Sequence, residues 1–223
     1  MRWVREQSLT LFFLGIFLAA LLAEALVGHV SFNHQQIAHH DPTMSLGRYA
    51  LSSVFWADVM ENWQSEYLQF TLFIIVSVWL VQKGSTESKP PGKEGGESDE
   101  DQKVGEHADA DSPAWARAGG LRTAIYSNSL LMLMTAIWVL SWFAQLVTGR
   151  IAYNSDQLDH HLAPLTLLQY AGSSDFWNRT LQNWQSEFLA VGSMVVLSIY
   201  LRQRGSPESK PVGSPHTATG VEG

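Results

Sequence analysis

The 223-residue sequence contains no cysteine, which excludes disulfide bonds, thiolate metal sites and a cysteine nucleophile. Basic residues are also few, with 14 Lys and Arg against 21 Asp and Glu and a formal net charge of −7. A face of clustered Lys and Arg, which nucleic-acid binding needs, is absent. We therefore expect no nucleic-acid partner.

Familiar catalytic signatures are missing as well. The sequence has no glycine-rich phosphate loop, no Gly-x-Ser-x-Gly elbow and no His-Glu-x-x-His zinc motif. No other recognisable catalytic set replaces them. We therefore predict that the protein is not an enzyme.

The negative charge is concentrated in one segment. Between Gly84 and Ala116, nine acidic residues stand against three basic ones, so this segment carries −6 of the total of −7. The segment has almost no large apolar side chains, and it therefore cannot bury enough surface to fold. We predict that residues 93–118 form an acidic, disordered cytoplasmic linker, and that the tail at 213–223 is also disordered.

A five-residue motif, Asn-Trp-Gln-Ser-Glu, occurs twice in the chain, at 62–66 and at 183–187. Residue 62 aligns with residue 183, and this offset of 121 holds without a gap from Ser8 to Pro90. Identities are concentrated in the motif and in the polar stretch before it. The aligned apolar runs are hydrophobic in both copies but differ in their residues. The pattern predicts two tandem repeats, at 1–92 and 119–212.

Each repeat contains two apolar runs. Leu9 to Val27 and Leu130 to Val147 approach the roughly 20 residues that cross a bilayer as a helix. The second run of each repeat follows the motif directly. We predict an all-α integral membrane protein with four transmembrane helices, at about 8–28, 60–82, 127–148 and 181–203.

The first run also fits a signal peptide, with Arg2 and Arg5 as the basic region and Ala23-Glu24-Ala25 as the cleavage site. Against this interpretation, the corresponding run of the second repeat lies mid-chain, where signal peptidase does not normally act. With four spans, ten basic residues lie near the predicted inner ends and three in the long outer loops. Both termini and the linker then face the cytoplasm, and two parallel repeats form a four-helix bundle.

The outer loops, each roughly thirty residues long, contain further structure. Met44 to Ser53 and Leu165 to Ser174 mix apolar residues with a tyrosine, and we predict a short helix at the membrane interface in each. Four tryptophans nearby suit the headgroup level, where an indole satisfies both its ring and its N–H.

The motif supplies the first candidate site. If Val81 marks the inner boundary, Glu66 lies 15 residues deeper, about 22 Å into a hydrocarbon core about 30 Å thick. Ionisable residues at that depth usually face a bundle interior. We predict a polar layer that either binds a proton or cation or links helices by hydrogen bonds, unless the motif lies in water just above the membrane. The layer comprises Glu24, Asn62, Gln64, Glu66, Gln145, Asn183, Gln185 and Glu187.

Histidine pairs in the outer loops supply the second candidate site. Imidazoles suit zinc or copper, so His39, His40, His160 and His161 are candidate ligands. Adjacent residues of an extended stretch point to opposite sides, however, and one pair does not readily share a metal. Hydrogen-bonded loop anchors are the competing interpretation.

Two stretches carry a family resemblance: Asn-Trp-Gln-Ser-Glu-Phe-Leu at 183–189, and the tail at 201–212 with its Gly-Ser-Pro-Glu-Ser-Lys-Pro. They resemble an uncharacterised bacterial integral-membrane family, catalogued as domain of unknown function 6766. The resemblance covers both repeats but not the linker, and the first repeat departs from it at Val81 and Thr86. It implies a multi-pass bacterial membrane protein and supplies no activity and no catalytic residue.

Together these observations predict a non-enzymatic envelope or accessory protein in the bacterial cytoplasmic membrane. Its partners would be lipid and either a second copy of the chain or another membrane protein, with the Gly-Ser-x-Glu-Ser-Lys-Pro tails as docking elements. The alternative is a small proton or cation transporter that uses Glu66 and Glu187. Metal binding by the outer histidine pairs is the third hypothesis, and no cofactor is predicted apart from that zinc or copper.

Overall fold

The computed structural model describes residues 2–221, and every regular element in that range is helical. In chain order the helices are α1 (Arg2–Glu6), α2 (Ser8–Ala38), α3 (Leu46–Ala50), α4 (Ser53–Val76), α5 (Ala114–Arg117), α6 (Gly120–Ser127), α7 (Ser129–Asp159), α8 (Leu167–Ala171) and α9 (Ser174–Tyr200). A 3₁₀ turn lies at Gly105–His107. The all-helical fold class is therefore confirmed for this part of the chain.

The chain forms two compact units. One consists of Met1–Met60 and Ala144–Gly172, and it contains α2, α3 and α8. The other consists of Glu61–Phe143 and Ser173–Gly223, and it contains α9 and most of α4. Each unit therefore draws on both halves of the sequence.

Two of the described helices, α2 and α7, are long and apolar enough to cross a membrane. Each has 31 residues. At 1.5 Å per residue this is about 46 Å, which exceeds a hydrocarbon core of about 30 Å. In both helices the excess length is the polar C-terminal part.

The helices begin and end at different residues from those predicted. α2 and α7 extend to Ala38 and Asp159 rather than to 28 and 148, and α4 and α9 begin at Ser53 and Ser174 rather than at 60 and 181. The predicted loops of about thirty residues are therefore wrong, since only 39–52 and 160–173 separate the paired helices. A helix does not end where its residues cease to be apolar. It ends at a helix-terminating turn, and in α2 that turn follows Ala38.

That turn is the same at the ends of α2 and α7. His40 has a φ of 64° and His161 a φ of 59°. The N–H of Asp41 donates to the carbonyl of Gln36 at 2.8 Å, and the N–H of His40 to that of Ile37 at 3.2 Å. The turn after α7 has the same two bonds, at 2.7 and 3.0 Å. This is the Schellman motif, which satisfies carbonyls that a helix C-terminus leaves without donors.

The connections between the paired helices are tied back by corresponding asparagines. Asn33 donates to the carbonyl of Met44 at 3.0 Å and accepts from its N–H at 2.9 Å. Asn154 makes the same two bonds with Leu165, at 2.9 and 2.8 Å. The short helices α3 and α8 follow these anchors directly, within the two stretches where short helices were predicted.

Two buried tyrosines hold those short helices in place. The hydroxyl oxygen of Tyr49 would lie 2.4 Å from a Cβ built on Gly28, and that of Tyr170 would lie 2.7 Å from one built on Gly149. Only glycine permits such an approach, because any side chain would overlap the phenol. The two glycines are therefore explained by packing.

The inner ends of α4 and α9 differ. α4 ends at Val76, six residues before the predicted 82, whereas α9 continues to Tyr200, the equivalent of residue 79 in the first half. The Arg202 guanidinium donates to two carbonyls in the last turn of α9, at 3.2 and 3.1 Å. The residue that corresponds to Arg202 is Val81, which has no donor to offer, so the last turn of the first helix is not supported in this way.

The two Gly-Ser-x-Glu-Ser-Lys-Pro tails fold into the same turn. Ser88 Oγ accepts from the N–H of Gln82 at 2.8 Å and donates to the carbonyl of Lys89 at 2.9 Å. Ser209 repeats both bonds, at 2.9 and 3.1 Å. The serines that recur in the tails therefore stabilise the turn from within.

The C-terminal tail also lies against the first tail. Lys210 is buried, and its Nζ donates to the carbonyls of Gly84, His216 and Ala218 at 2.6, 3.1 and 3.1 Å. Burial, and secondarily the charge of Arg202, lowers the pKa of Lys210. The N–H of Gly84 in turn donates to Thr219 Oγ1 at 2.8 Å.

The segment between the two halves contains mostly turns. Residues 93–118 include the 3₁₀ turn and α5, together with local ion pairs such as Lys103 to Asp109 at 2.7 Å. The disorder expected of this linker, and of the tail at 213–223, stays a prediction.

Candidate functional site

Helices α4 and α9 meet through polar side chains. On α9, residues 179, 183 and 187 are spaced four apart and therefore share one face. We call these contacts the α4–α9 seam. Its members are Glu61, Gln64 and Glu66 on α4, and Arg179, Asn183, Trp184 and Glu187 on α9.

Glu61 organises one end of the seam. One of its carboxylate oxygens accepts from Arg179 at 3.0 Å, and the other accepts from the Asn183 amide at 2.8 Å. Its side chain is only 14% exposed. A half-buried carboxylate with a guanidinium and an amide as donors is well satisfied, because charge-assisted hydrogen bonds are stronger than neutral ones.

Neither Glu61 nor Arg179 was predicted from the sequence. Their counterparts at the repeat offset are Gln182 and Asp58, so neither position matches between the halves. A search for repeated residues passes over such a pair. The signal that remains is a pair of opposite charges next to, but outside, the two motif copies.

Gln64 occupies the middle of the seam and is completely buried. Its Oε1 accepts from the indole N–H of Trp184 at 2.9 Å, and its Nε2 donates to the carbonyl of Glu61 at 3.1 Å. The indole of Trp184 also contacts that of Trp142, with ring centroids 6.1 Å apart. Hydrogen bonding and ring packing thus fix Trp184 together.

The carboxyl groups of Glu66 and Glu187 lie within hydrogen-bonding reach of each other, with Glu66 exposed and Glu187 half-buried. An ionised carboxylate only accepts hydrogen bonds, so these two groups can bond directly only when one of them is protonated. Each glutamate is the fourteenth residue of its helix, counted from Ser53 and from Ser174. The structure thus brings together the two glutamates of the motif, near the middle of α4 and α9.

The four remaining predicted members of the layer lie on four different helices. Asn62 and Gln185 are exposed on α4 and α9. Glu24 is exposed on α2, and Gln145 is buried on α7; both belong to the other compact unit. Within residues 2–221, neither polar atom of the Gln145 side chain has a hydrogen-bond partner.

The histidines of the two halves approach each other. The rings of His39 and His160 have centroids 6.2 Å apart, while His40 and His161 occupy the left-handed positions of the helix-ending turns. The His160 ring bonds to the carbonyl of Asp156 at 2.8 Å; this bond, and then the Asp156 charge, raises the pKa of His160. In the part of the chain that the structure describes, no three His, Asp or Glu side chains are placed to hold a metal ion.

Comparison with known proteins gives one match. A family model described as Domain of unknown function (DUF6766) matches residues 1–221. No curated protein and no solved structure matches the chain. The family description names no activity, so the functional interpretation depends on the seam.

Proposed function

Because the chain belongs to the DUF6766 family, whose description assigns no activity, we propose a function from the structure alone. The protein is a four-span, non-enzymatic protein of the bacterial cytoplasmic membrane, built from two tandem repeats. Its function is to bind and move a proton, or another small cation, at the carboxyl pair of Glu66 and Glu187.

The distribution of side chains supports a membrane location. Buried side chains include many polar ones, among them Gln64, Gln145 and Thr180, whereas large apolar side chains are exposed along all four long helices. α2, an apolar helix of 31 residues, contains no buried residue. Water-soluble proteins show the opposite distribution, and extensive apolar exposure marks a surface for lipid or a partner.

α4 and α9 complete the four spans in this proposal. They have 24 and 27 residues, or about 36 and 40 Å, which is enough to cross a hydrocarbon core of about 30 Å. Their polar residues face each other in the seam, while apolar residues such as Phe70, Leu72 and Leu189 are exposed. Polar residues of membrane helices turn inward in this way. Basic residues are concentrated at the helix ends next to the termini and next to the linker. This distribution favours a cytoplasmic location for the termini and for the linker.

The absence of cysteine makes this topology testable with single thiols. Ala110→Cys lies in the linker and Ala163→Cys in the loop between α7 and α8, and both positions are exposed. A membrane-impermeant maleimide should label Ala163→Cys in intact cells, but Ala110→Cys only after permeabilisation. Labelling of both from the same side would refute the four-span arrangement.

The carboxyl pair carries the functional proposal. Glu61, Gln64 and Asn183 have hydrogen-bond partners of their own across the seam, whereas the carboxyl groups of Glu66 and Glu187 face each other. Ionisable groups in membrane helices commonly mark proton or ion pathways, since a charged side chain inside the hydrocarbon region is too costly to serve packing alone. Two carboxyl groups this close can retain one shared proton, because its loss would leave two negative charges side by side.

The proposal is tested by proton flux into proteoliposomes. Glu66→Gln and Glu187→Gln preserve shape but remove the titratable oxygen, so flux should fall to that of protein-free liposomes at matched incorporation. Glu106→Gln is the control, because that side chain is 90% exposed in the linker. Infrared spectroscopy should also show a protonated carboxyl band that both seam variants lose. Wild-type flux equal to that of empty liposomes would refute proton movement.

A second function, as an accessory to another membrane component, is favoured by α2. Phe12, Phe13 and Ile16 on this helix are 61%, 61% and 51% exposed. Lipid suffices to cover them, but so does a second copy or a partner helix. In oxidised membranes, Ile16→Cys should give a disulfide-linked dimer if a second copy covers this face, because the chain contains no other thiol. The absence of a dimer would rule out a copy there.

A further inference from the structure

A cavity of about 270 Å³ lies between α4 and α9, on the tail side of the carboxyl pair. Gln69 of α4 and the tail glutamates Glu87 and Glu208 are its polar groups. The rest of the lining is apolar and consists of Phe70, Phe73, Ala190, Val191, Met194 and Val195. All of these residues belong to one compact unit. The cavity has room for several water molecules, each of which occupies about 30 Å³ in the liquid.

Corresponding residues of the two halves form this lining. At the offset of 121, Glu87 corresponds to Glu208 and Phe73 to Met194. Gln69 corresponds to Ala190, which also lines the cavity. The repeated tail therefore contributes to the cavity as well as to its own turn. Its serines stabilise the turn, and its glutamate is placed at the cavity in both copies.

Gln69 connects the cavity to the carboxyl pair. It follows Glu66 by three residues, so the two side chains lie on neighbouring positions of one helix face, about one turn apart. Its Oε1 is buried, and no side chain or backbone group of residues 2–221 donates to it. Buried acceptors of this kind are normally satisfied by water.

We propose that this cavity is a hydrated access route through which protons from the tail side reach Glu66 and Glu187. The inference rests on the proposed function and adds the route, the side of access and three further residues. Glu87 and Glu208 concentrate cations at the entrance by their negative charge. Gln69 holds the water that hands a proton to the pair.

Two adjacent valines test whether the cavity contains water. Val195 lines the cavity, whereas Val196 points elsewhere and is 50% exposed on the outside of α9. In inside-out vesicles, a cationic methanethiosulfonate should modify Val195→Cys at least about tenfold faster than Val196→Cys, because the reactive thiolate forms in water and not in lipid. Equal rates, or a faster reaction at Val196→Cys, would overturn the proposal.

Charge at the entrance is tested in the Val195→Cys background. Combined Glu87→Gln and Glu208→Gln should slow the cationic reagent and accelerate an anionic one of the same size. The same pair of substitutions should lower proton flux several-fold while leaving the infrared band of the Glu66–Glu187 pair unchanged. No change in reagent selectivity, or a flux that stays at the wild-type value, would overturn the role of the tail glutamates.

These outcomes separate the route from the proposed function. If Glu66→Gln abolishes flux while Val195→Cys resists modification, the carboxyl pair moves protons but this cavity is not the route. If Val195→Cys reacts quickly but the wild type shows no flux, the cavity is hydrated without serving proton movement, and both proposals fail.

Discussion

At the scale of single residues, Gln64 and Gln185 show how surroundings decide a side chain's role. They occupy the same position in the two motif copies. Gln64 is completely buried and accepts from Trp184 at 2.9 Å, whereas Gln185 is exposed. An acceptor inside the seam is costly to remove, because the buried donor that it satisfies is then left without a partner. An exposed amide has no such consequence.

We therefore predict that Gln64→Leu lowers the free energy of unfolding by about 1–3 kcal/mol, while Gln185→Leu changes it little. Unfolding in mixed micelles, followed by tryptophan fluorescence, measures both. In a Trp184→Phe background, which lacks the indole N–H, the effect of Gln64→Leu should shrink. Equal effects of the two leucine substitutions in the wild-type background would contradict the seam.

Glycines of α2 provide a second residue-scale prediction. Gly28→Ala places a methyl group 2.4 Å from the Tyr49 hydroxyl oxygen, whereas nothing lies within 4 Å of a Cβ at Gly15. The clash should cost about 1–3 kcal/mol of unfolding free energy. Gly15→Ala, the matched control on the same helix, should be neutral or slightly stabilising because alanine favours helix. Adding Tyr49→Phe should recover part of the loss; no recovery would show that the hydroxyl is not responsible.

At the scale of elements, residues that recur between the halves mostly begin, end or anchor helices. Ser52 and Ser173 accept from the N–H groups of Phe55 and Phe176, at 3.3 and 3.2 Å, as N-caps of α4 and α9. The histidine pairs end α2 and α7, and the asparagines anchor the connections. Identity in the loops is therefore accounted for by local structure, which leaves the seam as the better functional candidate.

The helix-ending turn predicts different effects for neighbouring histidines. His40 has a φ of 64°, where glycine is favoured, but His39 has a φ of −92°. His40→Gly should raise the free energy of unfolding by up to about 1 kcal/mol, because a Cβ is disfavoured in the left-handed region. His39→Gly should lower it, since there glycine only adds freedom to the unfolded chain. A metal site would instead make both variants lose zinc or copper, which elemental analysis of the purified protein detects.

At the scale of the whole molecule, the two tails connect distant parts of the sequence. Lys210 bonds to the carbonyl of Gly84, 126 residues earlier, and Ser85 Oγ lies 3.1 Å from Ser198 Oγ of α9. These contacts use the side chains that the tail motif repeats. The tails therefore stabilise the fold itself. Only their exposed residues remain for docking to a partner.

We predict that Lys210→Met releases the C-terminal tail, because methionine fills the volume but leaves three carbonyls without their shared donor. Limited proteolysis should cleave beyond residue 204 several-fold faster than in the wild type. Lys103→Met, at a lysine whose side chain is 66% exposed, is the control and should leave the rate unchanged. An unchanged rate for Lys210→Met would show that this ammonium does not hold the tail.

The positions of most helices were predictable from the sequence, but the residues at which they begin and end were not. Apolar runs located α2 and α7, and mixed spacing with a tyrosine located α3 and α8. Helix ends depended on local devices that hydropathy does not register, such as the left-handed His40 and the Arg202 cap. The repeat singled out Glu66, Glu187 and Asn183 as candidates, but not Glu61 and Arg179, because these two have no matching counterparts at the offset of 121.

The sequence by itself determined the absence of thiol chemistry, the two motif copies and their offset, and the apolar helices, because composition and periodicity are properties of the chain. Only the tertiary structure decided which of the two motif glutamines is buried, which charges pair across the seam, and that Glu87 and Glu208 line one cavity. The reason is physical: burial and pairing depend on which helix faces meet. Two identical motifs acquire different surroundings once their helices pack against each other.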